Sequence, residues 1–315
     1  MTKKKNLLVL GANGFLGRNV VKILNFNHKY NVLKLHGKSE LDLTKDFLLD
    51  DYIRKNSVDL IINCAAFVGG IAYGYDYPAE LISKNSKMTL NIYEACKVNK
   101  INFLVNPISN CAYPKNQELY EEKNFWDGAP HESVFEYGFS KKLTVALGSS
   151  YYREYGLSSA NIVLSNMYGP GDHFDEKKSH ALGAMIKKIY NAKLNNLKSV
   201  EIWGTGTPVR EWLYVEDGAE SLIKSLELES GNYFFNIGVN KGITIFEMSK
   251  LISSIIGWDG EFIFDLTKPD GAKEKRVLGS FAEKKFNWKP QISLDSGIKT
   301  TIDWYIKNIK SYEIQ

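Results

Sequence analysis

Ten residues into the chain, the apolar run Leu7-Leu8-Val9-Leu10 meets Gly11-Ala12-Asn13-Gly14-Phe15-Leu16-Gly17, and a helical pattern follows over residues 14–24. Four consecutive apolar residues read as a strand covered on both faces. A glycine-spaced turn leading straight into a helix then narrows the folds available. Gly11 permits the tight turn, Gly14 the close approach of backbone to a diphosphate, and Gly17 close packing of helix on strand. The spacing is GxxGxxG rather than GxGxxG, and an ordinary strand–helix turn can carry three glycines. Its position between a short apolar strand and a helix is what points to a dinucleotide site, with Gly11, Asn13, Gly14, Phe15, Leu16 and Gly17 as the residues lining it.

The same rhythm runs on. Strand-like segments at residues 30–35, 60–62, 103–105 and 160–164 alternate with helical stretches at 86–97 and 137–155. Strand, helix, strand in this order implies a parallel sheet with helices on both faces and right-handed crossovers. The fold class is therefore α/β, a doubly wound parallel Rossmann sheet. After Leu164 the chain turns richer in Gly, Pro, Lys and His, with a helix near 180–192. A helix near 215–228 and a strand at 233–237 return to the first pattern, and an α+β section from 242 ends in an amphipathic helix over 294–309. This divides the chain into a dinucleotide-binding domain, 1–165 plus 212–240, and a smaller interleaved α+β substrate domain, 166–211 and 241–315.

Composition excludes several classes. Forty Lys+Arg against 36 Asp+Glu leave +4, too small an excess for a nucleic-acid partner. The three cysteines, Cys64, Cys96 and Cys111, form no CxxC pair, and an odd count without a framework fits a reducing compartment. The five histidines show no metal spacing, so no metal is expected. The apolar stretch behind the basic N-terminus is too short for a signal peptide or membrane span, which leaves cytoplasm as the expected location and no membrane partner.

Two further features carry chemistry. The end of the second strand reads Leu33-Lys34-Leu35-His36-Gly37-Lys38, with no acid before Glu40. An NAD site places a carboxylate there, whereas Lys34 and His36 suit the 2′-phosphate of NADP(H). Lys34 and Lys38 read equally well as solvated surface lysines. Second, Tyr137-Gly138-Phe139-Ser140-Lys141 sets Tyr137 and Lys141 on one helix face, where an ammonium beside a phenol stabilises the phenolate. A Tyr-x-x-x-Lys is common by chance. It gains meaning from Ser109, at the end of the fourth strand, where strand ends meet the cofactor crevice.

With these motifs in order, the chain resembles the extended short-chain dehydrogenase/reductases and, within them, the GDP-L-fucose synthases. The resemblance rests on Ala65-Ala66-Phe67-Val68-Gly69-Gly70-Ile71, Ser109-Asn110-Cys111-Ala112-Tyr113-Pro114 and Asn166-Met167-Tyr168-Gly169-Pro170. It continues through Ser179-His180, the segment from Trp203 through Arg210 to Glu211, and Lys268-Pro269-Asp270-Gly271. It implies an NADPH-dependent C4 keto-reductase of a GDP-linked 4-keto sugar, a 6-deoxyhexose or a heptose, working as a homodimer through the helices at 86–97 and 137–155. By the same resemblance Ser109 bonds the C4 oxygen, Tyr137 donates the proton and Lys141 holds the nicotinamide ribose. Ala65 and Ala66 would line the cofactor, and Cys111 and His180 match a base and acid for C3/C5 epimerisation. Trp203 and Arg210 would bind the nucleotide sugar, with Asn166, Lys188 and Lys275 beside them. A buried Cys is also often a small hydrophobe and a lone His structural.

The pattern departs at Phe67, Asn13 and Ile108-Ser109-Asn110, all near where cofactor and substrate would lie, which leaves the sugar and the epimerisation open. A same-fold alternative is an NAD-dependent 4-epimerase or dehydratase, although Ser109-Asn110-Cys111 offers no carboxylate for dehydration. A non-catalytic NADP-binding protein is the alternative of another class, since fold does not fix function.

Overall fold

Residues Leu7 and Val9 are enclosed in one core and Leu8 and Leu10 in another, the two-sided burial that an interior parallel strand requires. The computed structural model describes residues 4–68, 71–174, 179–268 and 270–308. Gly69, Gly70 and Pro269 of the motifs above, and Ile309 of the expected last helix, lie outside them.

The first half runs β1 (Lys5–Leu10), α1 (Phe15–Phe26), β2 (Tyr30–Leu35), α2 (Leu48–Asn56), β3 (Leu60–Asn63), α3 (Ile71–Asp76), α4 (Pro78–Val98), β4 (Phe103–Ser109), β5 (Leu119–Tyr120), α5 (Phe135–Tyr155) and β6 (Ser159–Leu164). It continues with β7 (Asn166–Tyr168), α6 (Ala181–Leu194), β8 (Ser199–Trp203), β9 (Val209–Tyr214), α7 (Val215–Ser225), β10 (Asn232–Ile237), β11 (Gly242–Thr244), α8 (Ile245–Ile256), β12 (Glu261–Asp265), β13 (Glu274–Val277), α9 (Phe281–Phe286) and α10 (Leu294–Asn308). In the first half two helices escape the sequence pattern, α2 and α3, α8 and α9 fill the α+β section read only in outline, and α4 starts eight residues before the stretch read at 86–97. Pro78 at its first turn is the start signal, with its fixed φ and missing N–H suited to that position.

Six parallel strands form the central sheet in the order β10-β6-β4-β3-β1-β2. The α/β class with a doubly wound parallel sheet is thus realised. α1 and α7 cover one face through Val20, Leu24, Ala219 and Leu222, and α2 and α4 the other through Leu49, Ile53, Ile92 and Tyr93. The strand order reverses at β1, whose neighbours β2 and β3 leave in opposite directions, so a crevice opens beyond the C-terminal ends of β1 and β3.

A buried polar row aligns that edge. Asn63, Asn106 and Asn161 stand side by side on β3, β4 and β6, joined by amide bonds of 3.1 Å. Asn63 Oδ1 then accepts from Ala65 N at 3.2 Å, tying the ladder to the turn that faces the crevice. In a low-dielectric interior such a row demands one register, because slippage strands its donors.

A second core gathers α6, α8 and α10 around Tyr168, Ile202, Trp212 and Tyr214. Its strands run β11-β9-β13-β5, with β7 on β9 and a separate β12-β8 pair. The chain leaves the first core after β6, returns for α7 and β10, and leaves again at β11. β5 pairs with β13 from the far end of the chain, and Ala282 and Trp288 pack back into the first core.

Candidate active site

The glycine turn has the shape its spacing implies. Gly11 lies at φ +69°, and a Cβ there would stand 2.7 Å from Ala65 Cα; one on Gly17 would stand 2.1 Å from Gly11 O. Both glycines are therefore required by contact, and Gly11 by its conformation as well. Gly14 caps α1 without any side-chain bond, and no acid occupies the first turn. That leaves the helix's first N–H groups and its positive end free, the arrangement that fits a dinucleotide's diphosphate. Ala65 stands against Gly11 on the opposite side, the half-buried Ala66 follows it in the chain, and Asn13 is exposed. Ala12 N donates to Leu35 O, so His36 begins immediately beyond the crevice at the end of β2. Here the structure adds a carboxylate: Glu40 turns back to accept from His36 N at 2.8 Å and pairs with its Nδ1 at 2.7 Å. Lys34 is half-buried on β2 beside these groups.

Ser109, Tyr137 and Lys141 come together at the C-terminal edge of β4. Gly138 makes this possible, since a Cβ there would meet Cys111 O at 2.7 Å, so the start of α5 presses directly on the turn at Asn110–Ala112. Lys141 is buried and its Nζ donates to Pro107 O at 3.3 Å, two residues before Ser109 on β4. The ammonium stands 5.5 Å from the Tyr137 ring centre. Ser109 Oγ accepts from Cys111 N at 3.3 Å, which keeps its own O–H available to donate outward.

The electrostatics differ from the sequence expectation. Burial pushes the Tyr137 phenol up, with Cys111 adding to the rise, rather than Lys141 pulling it down. Burial also lowers Lys141 to about 8, against the pull of Cys111 and Cys64. Desolvation thus shifts both groups toward their neutral forms, and no hydrogen bond between them offsets it.

Cys111 lies in the same cleft, its thiol raised by burial although Ser109, Lys141 and Lys275 act the other way. His180 caps α6 on the other side. Its ring is solvent-accessible yet surrounded by protein, and that surrounding, with His173 behind it, lowers its pKa. No hydrogen bond joins His180 to Cys111.

On the substrate side, β9 and β13 pair with Arg210 opposite Lys275. Burial lowers both pKa values, and for Lys275 the guanidinium lowers it further. Two half-buried cations side by side make a site for a doubly charged anion. Trp203 is exposed at the end of β8, with Lys188 Nζ 5.3 Å from its ring centre. Asn166 links the halves, its Oδ1 accepting from Asn110 and its amide donating to Glu211 O, each at 3.2 Å.

Several residues received no role in the sequence reading. Glu211 is buried and its carboxylate accepts from the backbone N–H of Val239, Asn240 and Val277, fixing β13 and hence Lys275. Lys268 reaches the Trp203 ring at 5.6 Å, beside Lys188. Asp270 clamps the turn after Trp203, accepting from Thr205 N at 2.7 Å and Thr205 Oγ1 at 2.8 Å. Asn85 brackets Phe67, accepting from its N–H at 3.0 Å and donating to its carbonyl at 2.8 Å, while Lys84 covers the ring at 4.2 Å. These partners are 17 to 66 residues apart, so no local spacing announces them. Among the described residues no group of three His, Cys, Asp or Glu side chains could hold a metal, and no helix is long and apolar enough to cross a membrane.

The family model described as "NAD dependent epimerase/dehydratase family" matches residues 7–238. GDP-L-fucose synthase 1 of Arabidopsis thaliana is 32% identical over 98% of this chain and 95% of its own. A GDP-mannoheptose C4 reductase of Campylobacter jejuni, solved with NADP bound, is 25% identical with a TM-score of 0.85, covering 97% of this chain and 99% of that one. A GDP-L-fucose synthetase of Naegleria fowleri superposes with a TM-score of 0.90 at 23% identity, covering 99% of this chain and 96% of that one, and so shares the fold.

Proposed function

The chain belongs to the NAD dependent epimerase/dehydratase family, and from that premise we propose that it is an NADPH-dependent reductase of the C4 keto group of a GDP-linked 4-keto sugar. The observation that carries this reading is the assembly of Ser109, Tyr137 and Lys141 beside the uncapped start of α1. Relatives that are a GDP-L-fucose synthase and a GDP-mannoheptose C4 reductase support the nucleotide sugar, and NADP in the latter supports the cofactor.

The first turn of α1, with Ala65 and Ala66 opposite, would hold the dinucleotide, and Lys34 and His36 its 2′-phosphate. NADPH, when bound, supplies a hydride to a carbonyl carbon. Ser109, its Oγ lone pair engaged by Cys111 N, donates its hydroxyl proton to the C4 oxygen and orients it. Tyr137 then delivers the proton that oxygen takes up. Its raised pKa suits the reductive direction, because the acid must arrive protonated. Lys141 stabilises the phenolate that remains, where the enclosed site strengthens the charge pair. Arg210 and Lys275 would hold the sugar's diphosphate and Trp203 its base, with Asn166 and Lys188 at the margins.

Cys111 and His180 support a second step, inversion at C3 and C5, where the ketone acidifies the neighbouring C–H bonds. The apolar side chains Leu90, Val98 and Phe139, exposed on α4 and α5, support a homodimer through those helices. The test is incubation with NADPH and a panel of GDP-4-keto hexoses and heptoses, with products assigned by NMR. An axial or equatorial C4 hydroxyl in the product bears the reading out, and absence of turnover across the panel overturns it.

A further inference from the structure

We infer that Arg18 is a ligand of the dinucleotide's diphosphate and, through the same guanidinium, ties the cofactor end of the site to the segment after β7. The inference rests on the dinucleotide reading above. Arg18 N donates to Gly14 O at 2.9 Å, so the residue sits in the first turn of α1 directly below its cap. Helical side chains lean toward the N-terminus, which carries this one back over the start of the helix. There the cap makes no side-chain bond and no acid complements the dipole. Asn13, within the glycine turn, brings no charge.

The guanidinium is held in place from across the crevice. Its Nη2 donates to Gly171 O at 2.8 Å. Gly171 lies at φ +85°, a backbone conformation that favours glycine, and a Cβ there would stand 3.2 Å from that nitrogen, so the glycine also leaves the group room. Among the described residues no carboxylate pairs with Arg18, and the side chain is exposed. A link to one neutral carbonyl uses one of five donors and leaves the full charge uncompensated. The planar fork matches two phosphate oxygens. The 2′-phosphate is a different partner, since Lys34 and His36 mark its place at the end of β2, whereas Gly171 follows β7 beside the other core.

Titration of wild type, Arg18→Met and Arg18→Lys with NADPH and with NADH, followed by fluorescence and accompanied by Tm, tests this. Loss of a charge-assisted contact should weaken Arg18→Met roughly ten- to a hundred-fold for both cofactors alike, with Tm unchanged and Arg18→Lys recovering part of the loss. Wild-type affinity in Arg18→Met overturns the inference while leaving the cofactor reading intact. A loss confined to NADPH overturns it in favour of the 2′-phosphate. A loss that follows a fall in Tm, with Lys no better than Met, reduces Arg18 to the structural tie. Wild type that binds neither cofactor removes the cofactor reading itself.

Discussion

The Lys141 ammonium donates to Pro107 O at 3.3 Å and stands 5.5 Å from the Tyr137 ring centre, so the two residues are neighbours without a direct hydrogen bond. Tyr137 therefore rests as a half-buried neutral phenol, and Lys141 as a buried ammonium whose charge desolvation has made easy to lose.

A pH dependence follows from Lys141, lowered to about 8. Its charged form, which the developing phenolate needs, predominates below that value and is lost above it. kcat/KM for reduction should fall about tenfold per pH unit on the alkaline side. Lys141→Arg, which stays charged, should move that limb to higher pH. A pH–rate profile of both enzymes checks this, and a flat profile to pH 10 removes Lys141 from the proton step.

Tyr137→Phe deletes the proposed proton donor and leaves the packing of α5 on the Asn110–Ala112 turn in place, because Gly138 makes that contact. kcat should fall by about 10²–10⁴ with KM little changed. Steady-state kinetics decide it; near-normal turnover would assign the proton to another group.

Cofactor preference turns on Glu40 as well as on Lys34 and His36. Its carboxylate sits on His36 at the end of β2, where it opposes a 2′-phosphate. Wild type should prefer NADPH, and Glu40→Gln should widen that preference roughly two- to five-fold, the scale of an exposed charge pair. Affinities for NADPH and NADH in both proteins measure it. A preference for NADH in wild type would show Glu40 acting as the ribose acceptor.

The proposed epimerisation would draw on the Cys111 thiol, which burial holds toward its protonated form. If Cys111 is the base, turnover in D₂O should place deuterium at C3 and C5, faster as pH rises from 7 toward 9. Cys111→Ser should abolish exchange yet still reduce a pre-epimerised substrate. NMR of the product reads both, and protium at both carbons would leave only the reductase.

Glu211→Ala should cost about 2–4 kcal/mol, because it removes the acceptor of three N–H donors, of which that of Val277 is buried. Denaturant unfolding measures it. A change under 1 kcal/mol would mean water replaces the carboxylate.

What the sequence determined by itself is local. The glycine turn after β1, the strand–helix alternation and the i,i+4 placement of Tyr137 and Lys141 all lie within a few residues, where steric limits and periodicity act directly. Even the helix at Pro78 carried a local signal, and so did α2, whose Leu49 and Ile53 lie one turn apart on its buried face, although nine residues give that spacing only one repeat. Only the tertiary structure decided what stands opposite what. Gly138 against Cys111, Glu211 against Val239 and Val277, Arg210 against Lys275 and Arg18 against Gly171 join segments far apart in the chain. The raised phenol of Tyr137 belongs to this second kind, since desolvation sums the atoms that every packed segment brings, and no single stretch of sequence contains them.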